Sequence, residues 1–137
     1  MNPELTAQLY ERYPLIFARR PPLNCGDGWF DLLDKLCSSL HNETTQNGAL
    51  QVIASQVREK FGGLRFGAGP ANERQRGMID MAEAISSRIC EVCGHRGKTI
   101  GPAWFRTRCE AHAHSEIPYD DASLGRPVTP MPGRGTH

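Results

Sequence analysis

Two cysteine-containing knuckles constrain this chain more than any other feature. Cys90-Glu91-Val92-Cys93-Gly94 is C-x2-C, and Cys109-Glu110-Ala111-His112 is C-x2-H, with fifteen residues between Cys93 and Cys109. A C-x2-C turn lets two thiolates face one ion, and Gly94 permits the tight turn it needs. A second knuckle closes a tetrahedron, the arrangement of structural zinc. Soft and borderline donors suit Zn better than Mg or Ca. The pattern therefore predicts Zn held by Cys90, Cys93, Cys109 and His112. His114 competes with His112 for the fourth position, and the repeated x2 spacing favours His112. His95 follows the first knuckle too closely to replace either cysteine and is expected at the surface. A unit of this size, residues 88–114, has too little core to fold alone, so the metal substitutes for one.

Metal ligands need reduced thiols. The N-terminus, Met1-Asn2-Pro3-Glu4, has no basic-then-apolar leader pattern, and no apolar run approaches the roughly 18 residues of a membrane span. The expectation is a cytoplasmic protein with no membrane partner, whose five cysteines are read for metal before disulfides.

The rest of the chain reads as α+β: about three helices and a short β-hairpin ahead of the C-terminal zinc ribbon. Residues 1–114 form one compact domain in this reading, and 115–137 a Pro/Gly-rich irregular tail. Asn2, Pro3 and Glu4 make a helix start, and Pro14 ends that helix early. Residues 18–23 read as a stiff extended connector. Asp27 is a candidate cap for a second helix from about Gly28 to Leu40. Its apolar stripe is Trp29, Leu32, Leu33, Leu36, Cys37 and Leu40. Cys37 falls inside that stripe and is expected to be buried and inert. His41–Gly48 is polar and reads as a loop. Residues 50–61 fit helix or strand. The alternation after Gly62-Gly63 favours a hairpin turning there. Asn72 with Gln75 resembles a capping box for a third helix ending near Arg88. Its expected buried stripe is Met78, Met81, Ala82, Ile85 and Ile89.

Charge excludes a polybasic nucleic-acid coater, since 16 Lys and Arg stand against 15 Asp and Glu for a net +1. The charge is unevenly spread, however. Arg96, Lys98, Arg106 and Arg108 fall inside the ribbon with Trp104 and Phe105 among them. Arg96, Trp104, Arg106 and Arg108 are therefore the candidate partner-binding residues, with nucleic acid among the possible partners.

Enzymatic readings have little to stand on. Four protein ligands would leave the metal no open position for water. C-x2-C with C-x2-H also serves as structural zinc in some His-Asn-His nucleases, but no fitting Asp-His start precedes His112-Ala113-His114. Cys25 at a helix start could be an activated thiol. Gly26 and Gly28 shaping a turn beside a capping Asp27 account for the same residues more simply. No phosphate-loop, nucleophile-elbow or zinc-protease motif is present. No catalytic residue is assigned.

Three strings resemble a family of small phage- and prophage-encoded proteins. They are Cys25-Gly26-Asp27-Gly28-Trp29-Phe30, then Gln56-Val57-Arg58-Glu59-Lys60-Phe61-Gly62-Gly63-Leu64-Arg65-Phe66, and Cys90-Glu91-Val92-Cys93-Gly94 with Trp104, Arg106-Thr107 and Cys109. Tyr13-Pro14 with Ile16-Phe17 fits the opening of that family. The resemblance covers roughly residues 5–114. It departs at Arg58, where Lys is common, and at Gly67, where an aromatic is. It implies a non-enzymatic protein of phage origin that inhibits a bacterial host protein or nucleoprotein complex by stoichiometric binding, of an anti-CRISPR or anti-defence type. A zinc-ribbon nucleic-acid binder or regulator is the alternative reading, and a metal-dependent nuclease a third.

Overall fold

The computed structural model describes residues 1–102 and 104–114. The irregular tail expected at 115–137 lies outside the described residues. Helix α1 spans Pro3–Arg12, and α2 Phe30–Asn47. Between them the expected connector turns at residues 18–19 and reaches strand only at its last residue, Leu23, where the two-residue strand β1, Leu23–Asn24, begins; a 3-10 turn, Asp27–Trp29, follows. Strands β2, Ala54–Lys60, and β3, Gly63–Ala68, form an antiparallel hairpin. Helix α3, Glu73–Ser86, leads to a second, two-stranded sheet of β4, Lys98–Ile100, and β5, Arg106–Arg108. A short 3-10 turn, Glu110–His112, follows. The fold is α+β.

The start of α1 behaves as its residues dictate. Asn2 Oδ1 accepts from the Leu5 amide at 2.8 Å, with Pro3 in the first turn. Asp27 does not cap α2. Its carboxylate instead accepts from the Asn2 backbone amide at 2.8 Å and side-chain amide at 3.0 Å, tying the two helix starts together.

Along α2 the expected stripe is the core face. Trp29, Leu33, Leu36, Cys37 and Leu40 are buried, and Leu32 packs against them. They meet Leu9, Ile16, Phe17, Leu23, Val57, Leu64 and Phe66. The helix then continues through His41 to Asn47, where a loop is expected, and ends on Gly48 in the left-handed region. Glu43 explains the extension. It sits one turn beyond Leu40, is buried, and takes an ion pair from Arg74 of α3 at 3.2 Å. A buried carboxylate with a partner can extend a core stripe that an unpaired one would end.

The inner sheet has the order β1-β2-β3, with Leu23 opposite Val57 in parallel and Val57 opposite Phe66 in antiparallel register. The segment 50–61 is thus strand from Ala54 onward, not helix. The hairpin turns at Phe61-Gly62, one residue earlier than Gly62-Gly63. Both residues have positive φ, +55° and +84°, the signature of the type I′ turn that matches strand twist.

Helix α3 carries the expected capping box, with Asn72 and Gln75 bonded reciprocally. Its buried face is rotated from the expected one. Gln75, Ile79, Ala82 and Ser86 face inward, while Met81 is 61% exposed and Ile85 41%. The reason is the free edge of β3. Ser86 Oγ accepts from the Leu64 amide at 2.9 Å, and a Glu83 carboxylate oxygen accepts from the Phe66 amide at 2.8 Å. Gln75 also donates to the Leu50 carbonyl at 2.7 Å. Satisfying edge amides outweighs burying two more apolar side chains.

Candidate metal centre

Backbone bonds build the first knuckle before any metal is considered. The Cys90 amide donates to the His95 carbonyl at 2.7 Å, and the Gly94 amide to the Cys90 carbonyl at 2.9 Å. Gly94 has φ +82°, as the tight turn requires. The β4–β5 hairpin then returns the chain, with Lys98 opposite Arg108, and delivers Cys109 beside Cys90. In the second knuckle the His112 amide donates to the Cys109 carbonyl at 3.1 Å.

Cys90, Cys93, Cys109 and His112 come together with their donor atoms all within 4.8 Å of one another. The cysteines are free thiols. The sulfurs of Cys93 and Cys109 are 3.7 Å apart, and His112 Nδ1 lies 3.8 Å from Cys90 Sγ and 3.3 Å from Cys109 Sγ. A tetrahedral ion with metal–sulfur bonds of about 2.3 Å separates its sulfurs by about 3.8 Å. The four residues could therefore hold a metal ion. The geometry selects His112. His114 is exposed and outside the cluster.

Electrostatics prepares one thiol in particular. Burial pulls the Cys90 thiol up, but the backbone amides of Cys109, Cys93 and Val92 outweigh it and bring it to about 7. Burial moves Cys93 upward. His95 is exposed, as expected, yet its Nδ1 lies 3.2 Å from Cys93 Sγ. Cys25 and Cys37 take no part. Both are buried, and burial raises the Cys25 thiol to about 12 and Cys37 further. Thiol labelling at mildly alkaline pH should therefore modify only Cys90, Cys93 and Cys109 of the chelated native protein. Mass spectrometry showing fast modification of Cys37 would contradict the burial of this helix face.

The knuckle is seated on the main core through the Cys25-Gly26-Asp27-Gly28-Trp29 segment. The Gly28 amide donates to the Glu91 carbonyl at 2.8 Å, the Gly26 amide to the Glu91 carboxylate at 2.8 Å, and Trp29 Nε1 to the Ile89 carbonyl at 2.9 Å. The backbones touch. A Cβ on Gly28 would lie 2.6 Å from the Gly94 nitrogen and closer still to the Cys90 carbonyl, and one on Gly26 would lie 2.9 Å from Glu91 Cγ. Gly28→Ala should cost about 3 kcal/mol or more, the upper range of overpacking, because backbone rather than a flexible side chain must yield. Chemical denaturation of the variant checks this.

The predicted partner-binding residues divide. Arg96 and Trp104 are exposed. Arg106 is half-buried, and its guanidinium donates to the Ala113 carbonyl at 2.9 Å, bracing the second knuckle. Arg108 is 6% exposed and pairs with buried Glu91 at 3.4 Å. Arg108 is thus an internal counter-ion rather than a surface anchor. Sequence reasoning passed over Glu91, which joins the knuckle, the glycine segment and β5. Its only signal was a charged residue between two ligand cysteines.

No helix among the described residues is long and apolar enough to cross a membrane. No protein-family model, curated protein or solved structure matches the chain.

Proposed function

We propose that the four-residue centre holds zinc as a structural staple and that the chain is a non-enzymatic binding protein. It acts by stoichiometric attachment to a bacterial host protein or nucleoprotein complex, inside the reducing cytoplasm. The observation that carries this reading is the donor set. Three sulfurs and one imidazole nitrogen lie close enough to surround one ion, and zinc is the ion that such ligands favour. When bound, zinc supplies fold stability there. With all four positions taken by protein, a water has no place on the ion and Lewis-acid chemistry has no entry. The work of the molecule then falls to its surface. The phage origin rests on the three sequence strings.

Elemental analysis of purified protein is expected to find one zinc per chain. Calorimetric titration of the captured host complex should saturate at a fixed stoichiometry, with no product formed from DNA, RNA or simple esters. Metal-dependent cleavage that persists through purification and is lost in His114→Ala would overturn the non-enzymatic reading.

A further inference from the structure

The outer face of the β2–β3 hairpin carries cations to which the described residues offer no carboxylate, the Arg65 guanidinium donating only to the neighbouring Leu64 carbonyl at 3.1 Å. Arg58 and Arg65 are register partners, directly opposite each other, and both are exposed. Like charges so placed destabilise a sheet. Lys60 lies on the same face, two residues beyond Arg58. The one carboxylate in these strands, Glu59, is turned away and accepts from the Gly62 amide at 2.7 Å. Among the described residues, no acidic group forms an ion pair with Arg58, Lys60 or Arg65.

At the tip of this face stands Phe61. Its φ of +55° is a turn conformation that suits Asn, Asp or Gly, yet the residue is a phenylalanine and is 69% exposed. The Lys60 ammonium lies 5.6 Å from the ring centroid. A residue that breaks a local rule and buries little inside the fold points to a contact outside it.

We propose that this face is a docking surface for single-stranded nucleic acid. The proposal rests on the reading of the chain as a binding protein and names the chemistry of its partner. Arg58 and Lys60 are about 6.8 Å apart along the strand, close to the repeat of phosphates on an extended single strand. Arg65 widens the row beside Arg58. The row leads to an exposed ring on which an unpaired base can stack. A cationic track ending in an aromatic platform is how single strands are held without sequence preference. A duplex hides its base faces and leaves Phe61 nothing to stack on. An acidic protein would meet the cations but would not require the ring.

The test is fluorescence anisotropy of a labelled oligothymidylate with the metal-loaded protein, at several salt concentrations. Wild-type affinity should fall with salt with a slope near 2, from three contacts at about 0.7 each. Arg58→Gln with Arg65→Gln should weaken binding about tenfold or more at low salt and reduce that slope by about 1.4. Lys35→Gln with Arg76→Gln removes the same charge elsewhere and should leave the slope unchanged. Phe61→Asn gives the sharpest result, because Asn suits the turn. Its melting temperature should rise while its affinity falls about fivefold or more. Wild-type protein that does not bind the oligonucleotide at low salt overturns the proposal, as do variants that bind like wild type. Loss of a host protein from the variants without any oligonucleotide binding would assign the face to a protein instead and also overturn it. Shortening of the oligonucleotide would strike the non-enzymatic reading, whereas unchanged binding by the variants strikes only this surface.

Discussion

Cys93→Ser is expected to release the metal and unravel residues 88–114 while the helical core survives. Cys93 is the exposed cysteine of the four-residue cluster, so its loss removes a candidate donor atom with little change in packing. Around the centre, two three-residue strands and a 3-10 turn contribute few buried apolar side chains. Structural zinc adds an apparent 10–16 kcal/mol or so to the folding of small metal units, comparable with the about 5–15 kcal/mol that hold a whole domain together. The melting temperature should therefore drop by more than about 15 °C. Amide exchange should accelerate first at the Cys90 and Glu91 amides, whose acceptors are the His95 and Thr107 carbonyls. The α2 amides should stay protected. A chelated protein with unchanged melting and exchange would show that the centre is not a staple.

Arg108→Met is expected to destabilise the protein by about 3–5 kcal/mol, the effect of leaving a buried charge unpaired. Arg108 and Glu91 are both buried, and Glu91 also accepts from the Gly26 amide. Adding Glu91→Met should recover part of that loss, because two apolar side chains avoid the desolvation of the pair. Recovery should be incomplete, since the Gly26 amide then loses its acceptor at about 1–3 kcal/mol. Arg108 Nε has no acceptor among the described residues, so the pair is not fully satisfied even in the native protein. Urea denaturation of both single variants and the double variant measures the coupling. Arg96→Glu, on the surface, should shift stability by less than about 0.5 kcal/mol. Equal effects at positions 96 and 108 would refute the burial of the pair.

Much of this architecture was legible in one dimension because local chemistry dictates it. The Asn2 and Asn72 caps, the α2 stripe from Trp29 to Leu40, and the two knuckles depend on residues within a few positions of one another. Spacing alone could nominate Cys90, Cys93, Cys109 and His112, since a metal needs donor types at defined intervals. The x2 spacing favoured His112 over His114, and the returning β4–β5 hairpin agrees, carrying His112 Nδ1 to within 3.8 Å of Cys90 Sγ.

Other features depended on residues far apart in the chain. Helix α2 runs on to Asn47 because Arg74, 31 residues away, neutralises Glu43. Helix α3 buries Ser86 instead of Met81 because the free edge of β3 presents amides that need acceptors. The glycines at 26 and 28 looked like turn formers, whereas their lack of Cβ lets the first knuckle press against them. Arg108 resembled a surface cation until β5 placed it against Glu91. Caps, stripes and ligand spacings are short-range and written in residue order. The pairing of buried charges, the satisfaction of a strand edge and backbone-to-backbone contact are set by which distant segments meet, and only the folded chain decides that.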